Sequence, residues 1–168
     1  MPLQRVGELE IDHDLAFQRR EWIMERIGWT AMLVIAVAGL LGLFGTGLLS
    51  AAEAQGEGNL LLRYGRFERF NAPAELAFTV PAEAASPDGT FGISISRDYL
   101  AAVQVEAITP EPADVAADGD WLTYTFASST PGSITVVFHL EHDAIGPRQL
   151  LVRLGDGEPM AIGQFVYP

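Results

Sequence analysis

The sequence predicts a mainly β protein with one long N-terminal α-helix: a single transmembrane helix followed by an antiparallel β-sandwich. Three observations carry this. Residues 27–52 form a run of twenty-six without a charge. From about residue 60 the periodicity changes to two, with apolar and polar residues alternating in short runs. Turn-forming Gly, Pro and Asp separate those runs, and no helical stretch of useful length interrupts them.

The chain begins with a mixed segment and turns helical near Asp12, where Asp12 or Asp14 can cap and acids suit the positive end of a helix dipole. Leu15, Arg19, Trp22, Ile23 and Arg26 fall on one side at helical spacing, and Trp22 and Trp29 suit the headgroup region. Residues 1–26 therefore read as an amphipathic helical arm, which rests on lipid or docks on another subunit. Residues 27–52 are long enough for the ~30 Å hydrocarbon layer, and a lone segment can satisfy its backbone there only as a helix. One helix is expected from about Asp14 to Leu49.

Arg19, Arg20 and Arg26 lie within eight residues of the uncharged run, whereas the ten residues from Glu53 to Leu62 hold no Arg. The positive-inside rule then places the arm in the cytoplasm and the rest outside a bacterial inner membrane. A cleaved signal peptide is the rival, because Ala52-Glu-Ala54 before Gln55 matches a cleavage pattern. A signal core spans only about 7–15 residues, so an uncleaved anchor is favoured. Within the span, Ala31, Ala38, Gly42 and Gly45 recur along one stripe. Small residues allow a partner helix to approach closely, although Gly is also common in membrane helices without a partner.

Residues 53–59 read as a polar linker and 60–168 as the exported β-sandwich. Residues 60–70 suggest a first strand. Leu76/Phe78/Val80, Phe91/Ile93/Ile95, Val103/Val105, Leu122/Tyr124/Phe126, Val136/Phe138/Leu140 and Leu150/Val152/Leu154 each define one apolar face, and residues 162–167 close the series of seven or eight strands. Residues 60–168 resemble immunoglobulin-like and related E-set domains. The stretch Asp118-Gly-Asp-Trp-Leu-Thr-Tyr124 is similar to the turn leading into a tyrosine corner, while the Cys pair of true immunoglobulin domains is missing. The whole plan resembles small bacterial single-pass membrane proteins with an exported β domain. That resemblance implies a location and a polytopic partner, and brings no catalytic residues.

The chain has no Cys and no Lys, which removes disulfides, Cys-based metal sites and lysine nucleophiles. Net charge is −12, of which −10 follows residue 50 (six Arg against sixteen acids). Such a surface repels phosphate backbones, so nucleic acid is not an expected partner. His139 and Glu141 share a strand face while His142 points the other way, which suits solvent-facing polar residues better than a metal site. Asp114, Asp118 and Asp120 gather near a turn without the ligand spacing of a calcium loop. Ser94 and Ser96 read as the outward face of a strand. No nucleophile or phosphate-loop motif occurs, and no cofactor or metal is expected.

The most unusual exported group is Arg63, Arg66 and Arg69 with Tyr64 and Phe67, a basic and aromatic cluster on an acidic domain. It suits anionic headgroups or an acidic partner loop, or else a first strand whose arginines pair with nearby acids. The expected function is a non-enzymatic accessory or assembly subunit of a larger membrane protein complex. Its partners would be polytopic membrane protein or other complex subunits and the lipid bilayer, with a homo-oligomer as a further option. The alternative is a membrane-tethered periplasmic module that binds a ligand or envelope polymer.

Overall fold

A computed structural model describes residues 15–40, 50–128 and 132–168, with helix side chains from Arg19 onward. The chain divides into two compact units, one ending at Leu40 and one beginning at Leu41. In the first, α1 (Leu15–Leu40) is a continuous helix, free of Pro and rich in Leu, Ala, Met, Glu and Arg. Arg26 stacks its guanidinium 3.7 Å over the Trp22 ring. The Thr30 hydroxyl donates to the Arg26 carbonyl at 2.8 Å, so this polar group is satisfied within the helix itself. Arg19–Leu40, 22 residues with mean hydropathy 1.6, is long and apolar enough to cross a membrane. Its apolar side chains are uncovered, Ile27 by 59% and Leu33 by 64%. Residues 41–49, where the helix was expected to continue, lie outside the described residues.

The second unit is a β-sandwich. Its strands are β1 (Ala51–Gln55), β2 (Leu61–Gly65), β3 (Phe67–Arg69), β4 (Pro73–Val80), β5 (Thr90–Ser96), β6 (Val103–Thr109), β7 (Asp114–Asp118), β8 (Trp121–Ala127), β9 (Ile134–His142), β10 (Gly146–Leu154) and β11 (Met160–Tyr167), with a one-turn helix α2 (Arg97–Leu100) after β5. One sheet has the order β1-β2-β4-β9-β6 and the other β3-β11-β10-β5-β8-β7. Period-two alternation gives each sheet one apolar face, and the two faces meet in a single core. Phe138 is its centre. The ring lies edge-on to Tyr124 at 5.0 Å, to Phe78 at 5.4 Å and to Phe126 at 6.5 Å, geometries that aromatic quadrupoles favour.

The fold class is as the alternation predicts, with four local differences. First, the sheet starts earlier: Ala51–Gln55, assigned above to the end of the span and to the linker, pairs antiparallel with β2, and Ala52 is buried opposite Tyr64. Residues 57–59 add a 3-10 turn whose Glu57 carboxylate accepts from the Glu158 amide at 2.6 Å. Second, residues 60–70 are two strands in different sheets. The chain changes sheets at Gly65–Arg66, and β3 pairs with β11 in parallel, Phe67 opposite Phe165. Among the described residues the strand pairs are antiparallel except for this one, and an isolated parallel bridge joins Phe70 to His142. Third, Tyr124 sits within β8 with its ring against Phe138, not at a corner. Fourth, Ser94 faces outward as expected but is only 1% exposed, because Thr123 covers it and shares a 2.8 Å hydrogen bond.

Candidate functional site

The sheet change at Gly65–Arg66 builds a groove of about 660 Å³. Its floor is the outer face of β2 and β4, with Arg63, Glu75 and Ala77; its far wall is Phe67, Glu68, Arg69 and Tyr167 from the β3–β11 pair. Ser50 and Ala51 complete it. The Ser50 hydroxyl donates to the Phe67 carbonyl at 3.0 Å, and the Arg66 amide donates to the Ser50 carbonyl at 2.7 Å. The Phe165 amide in turn donates to the Arg66 carbonyl at 2.8 Å. The corner is therefore stitched at its backbone.

Of the sequence-predicted cluster, the groove gathers Arg63, Tyr64, Phe67 and Arg69, whereas Arg66 lies outside its lining and is exposed. Arg63 is paired with Glu53 at 3.1 Å across β1 and β2. Both partners are exposed, so this pair contributes little. Ala31 sits in a shallow groove on α1 between Ile27 and Val34, and Ala38 is half-buried two turns further on. Gly42 and Gly45 lie outside the described residues. Asp114 and Asp118 occupy opposite ends of β7, so the three Asp do not share one loop.

Glu68 joins the groove to the interior. It is opposite Val166 in the parallel pair and so shares the inward side of the sheet, and its carboxyl packs directly on Gly65, where a Cβ would collide with it. Burial pushes its pKa up from 4.5 to about 7. Behind it the Gly65 carbonyl accepts from the Gln164 side-chain amide at 2.8 Å, and Gln164 Oε1 accepts from the Tyr99 hydroxyl at 2.8 Å. The Tyr99 hydroxyl is held well above its ordinary range, first by burial and then by the Glu68 charge.

The Tyr99 ring meets His142 edge-on at 6.2 Å. His142 was expected among solvent-facing residues; it is instead in the core with 0% exposure, and neither ring nitrogen has a hydrogen-bond partner among the described residues. Its parity explains this, because it is in phase with Val136, Phe138 and Leu140. Burial lowers its pKa to about 4, Arg148 adds to the effect and Asp143 opposes it. His139, one face over, lies 3.3 Å from Glu75 on the surface. Glu68, Tyr99, Gln164 and His142 are what the sequence argument missed. Only the in-phase positions of Gln164 (with Ile162 and Val166) and His142 signalled burial of polar groups.

Chemically the corner can bind. It offers guanidinium groups, aromatic rings, and one carboxyl whose charge changes near neutral pH. Of the groove's hydroxyls, on Ser50, Tyr64 and Tyr167, the Ser50 one donates to the Phe67 carbonyl.

No family model and no curated protein matches the chain. Among solved structures it is similar to a cohesin module from a Clostridium perfringens ATCC13124 family 33 glycoside hydrolase, with 12% identity and a TM-score of 0.45, covering 67% of this chain and 98% of that one. It is also similar to a non-cellulosomal cohesin from the hyperthermophilic archaeon Archaeoglobus fulgidus, with 12% identity and a TM-score of 0.40, covering 62% and 88%. Both are too distant to carry a function across.

Proposed function

We propose that the chain is a non-enzymatic single-pass subunit of the bacterial inner membrane, an accessory or assembly component of a larger membrane complex. One observation supports this above the others. The apolar side chains of α1 are uncovered, whereas the sandwich completes its own core. The helix therefore needs lipid or other helices around it, and the sandwich does not need the helix in order to bury its apolar face. Arg19, Arg20 and Arg26 favour a cytoplasmic N-terminus and an exported sandwich. The partner subunit would meet the Ala31 side of α1 and the exposed surface of the head.

Solubilising native membranes in mild detergent and identifying the chains that co-purify tests this; recovery as a lone monomer at native expression would refute it. The groove favours a second reading, a tethered binding module for a periplasmic ligand or envelope polymer. The two differ on anchor exchange: a tethered module keeps its function with an unrelated span, and a subunit loses it. The exchange must stop at Leu49, since Ser50 and Ala51 belong to the groove.

A further inference from the structure

Of the six Arg that follow residue 50, three fall within seven positions, at 63, 66 and 69. Arg66 and Arg69 are exposed and, among the described residues, have no carboxylate within 4.0 Å. The parallel register sets Phe67 beside Phe165 and Arg69 beside Tyr167 on one outer face. Phe165 is 46% exposed there. The same corner is hydrogen-bonded to Ser50, which lies within the uncharged run 27–52 itself.

We propose that this corner is a docking surface for anionic phospholipid headgroups, with Arg66 and Arg69 taking phosphate and the Phe67, Phe165 and Tyr167 rings set into the headgroup layer. The inference rests on the reading that the helix expected to end near Leu49 spans a bilayer. Chain connectivity selects lipid over an acidic protein. A bilayer holding that run is presented to the corner at the high effective concentration of a tethered partner, whereas a protein must arrive from solution. An Arg near an anionic surface is drawn to it, and aromatic rings prefer the boundary between water and hydrocarbon. Glu53 pairs Arg63, and Glu68 and Glu75 line the groove, so Arg66 and Arg69 are the cations left to face such a surface, from which the acidic remainder of the head is repelled.

Because the chain has no Cys, a single introduced Cys reports one place. Gly163 lies on the same outer face of β11 two residues before Phe165, and a Cβ there meets open space. Gly163→Cys in the full chain is labelled with a solvatochromic dye and placed in nanodiscs of phosphatidylcholine, with or without phosphatidylglycerol. Val115→Cys on β7 is the control. The expected result is a blue shift at position 163 in the anionic discs only. High salt and the Arg66→Gln/Arg69→Gln pair should abolish it, and Arg66→Lys/Arg69→Lys should retain it. Emission that ignores lipid charge, an unchanged shift in the Gln pair, or a shift that requires a co-purified protein overturns the inference alone. A chain that fails to enter discs at all refutes the span as well.

Discussion

Exchanging Glu68 for Gln should make the sandwich acid-labile, and His142 sets the size of the effect. The unfolded chain titrates His142 near its ordinary 6.5, whereas burial, with Arg148, holds it near 4 in the fold despite Asp143. Between those values the unfolded state binds a proton that the fold refuses. The stability associated with a neutral His142 is complete above pH 6.5 and lost as the pH falls towards 4. The full loss is at most about 3.5 kcal/mol, from roughly 1.4 kcal/mol per pH unit over the shift from 6.5 to about 4. Glu68 works in the opposite direction. With its pKa raised from 4.5 to about 7, its contribution is complete below pH 4.5 and lost as pH rises through 7. Glu68 is partly exposed, so solvent reduces its contribution below the nominal value.

The two slopes oppose each other between pH 4.5 and 6.5. The natural protein should vary less there than the variant, and Glu68→Gln should expose the full His142 slope. Melting of the full chain in detergent, followed by strand circular dichroism, reads this directly. From pH 6.5 to 4.5 the variant should drop in Tm by on the order of 10 °C. His142→Phe should give a slope of the opposite sign. If the Glu68→Gln variant melts at the same temperature across the range, His142 is not held neutral and the reasoning fails.

Three further outcomes follow from the packing. Tyr99→Phe removes the hydroxyl donor from Gln164 and should reduce stability by about 1–3 kcal/mol, read by denaturant titration; a loss under about 0.5 kcal/mol would argue against a buried 2.8 Å bond. Phe138→Ala empties the meeting point of Tyr124, Phe78 and Phe126 and should remove about 3–5 kcal/mol, read by the same denaturant titration. Gly65→Ala puts a methyl group where the Glu68 carboxyl packs. The carboxyl should move into the groove, and its titration, followed by carbon-13 NMR, should shift from about 7 back towards 4.5.

The long strands were legible because alternation is a local signal: β4, β5, β8, β9 and β10 each carry it in their own residues. β1 was not, because Ala-Ala-Glu-Ala-Gln has little β propensity and joins the sheet only through β2. β7 was not either, since all five of its residues are exposed and nothing in it alternates. The Arg and aromatic cluster could be seen in the sequence, but the groove could not. It depends on a sheet change at Gly65–Arg66 and on Tyr167, about a hundred residues later. The polar chain from Glu68 to His142 is likewise tertiary, drawing one residue each from β3, α2, β11 and β9.

β7 has one more consequence. Among the described residues it is a sheet margin with amide and carbonyl groups unpaired along one side, and copies held in a membrane, as proposed above, would meet one another often. An Asp stands at either end of it. Two copies approaching margin to margin in antiparallel alignment would bring Asp114 of each against Asp118 of the other, which opposes ladder growth from molecule to molecule. Neutralising both positions should therefore favour clustering of neighbouring copies in a crowded bilayer while leaving each individual fold intact.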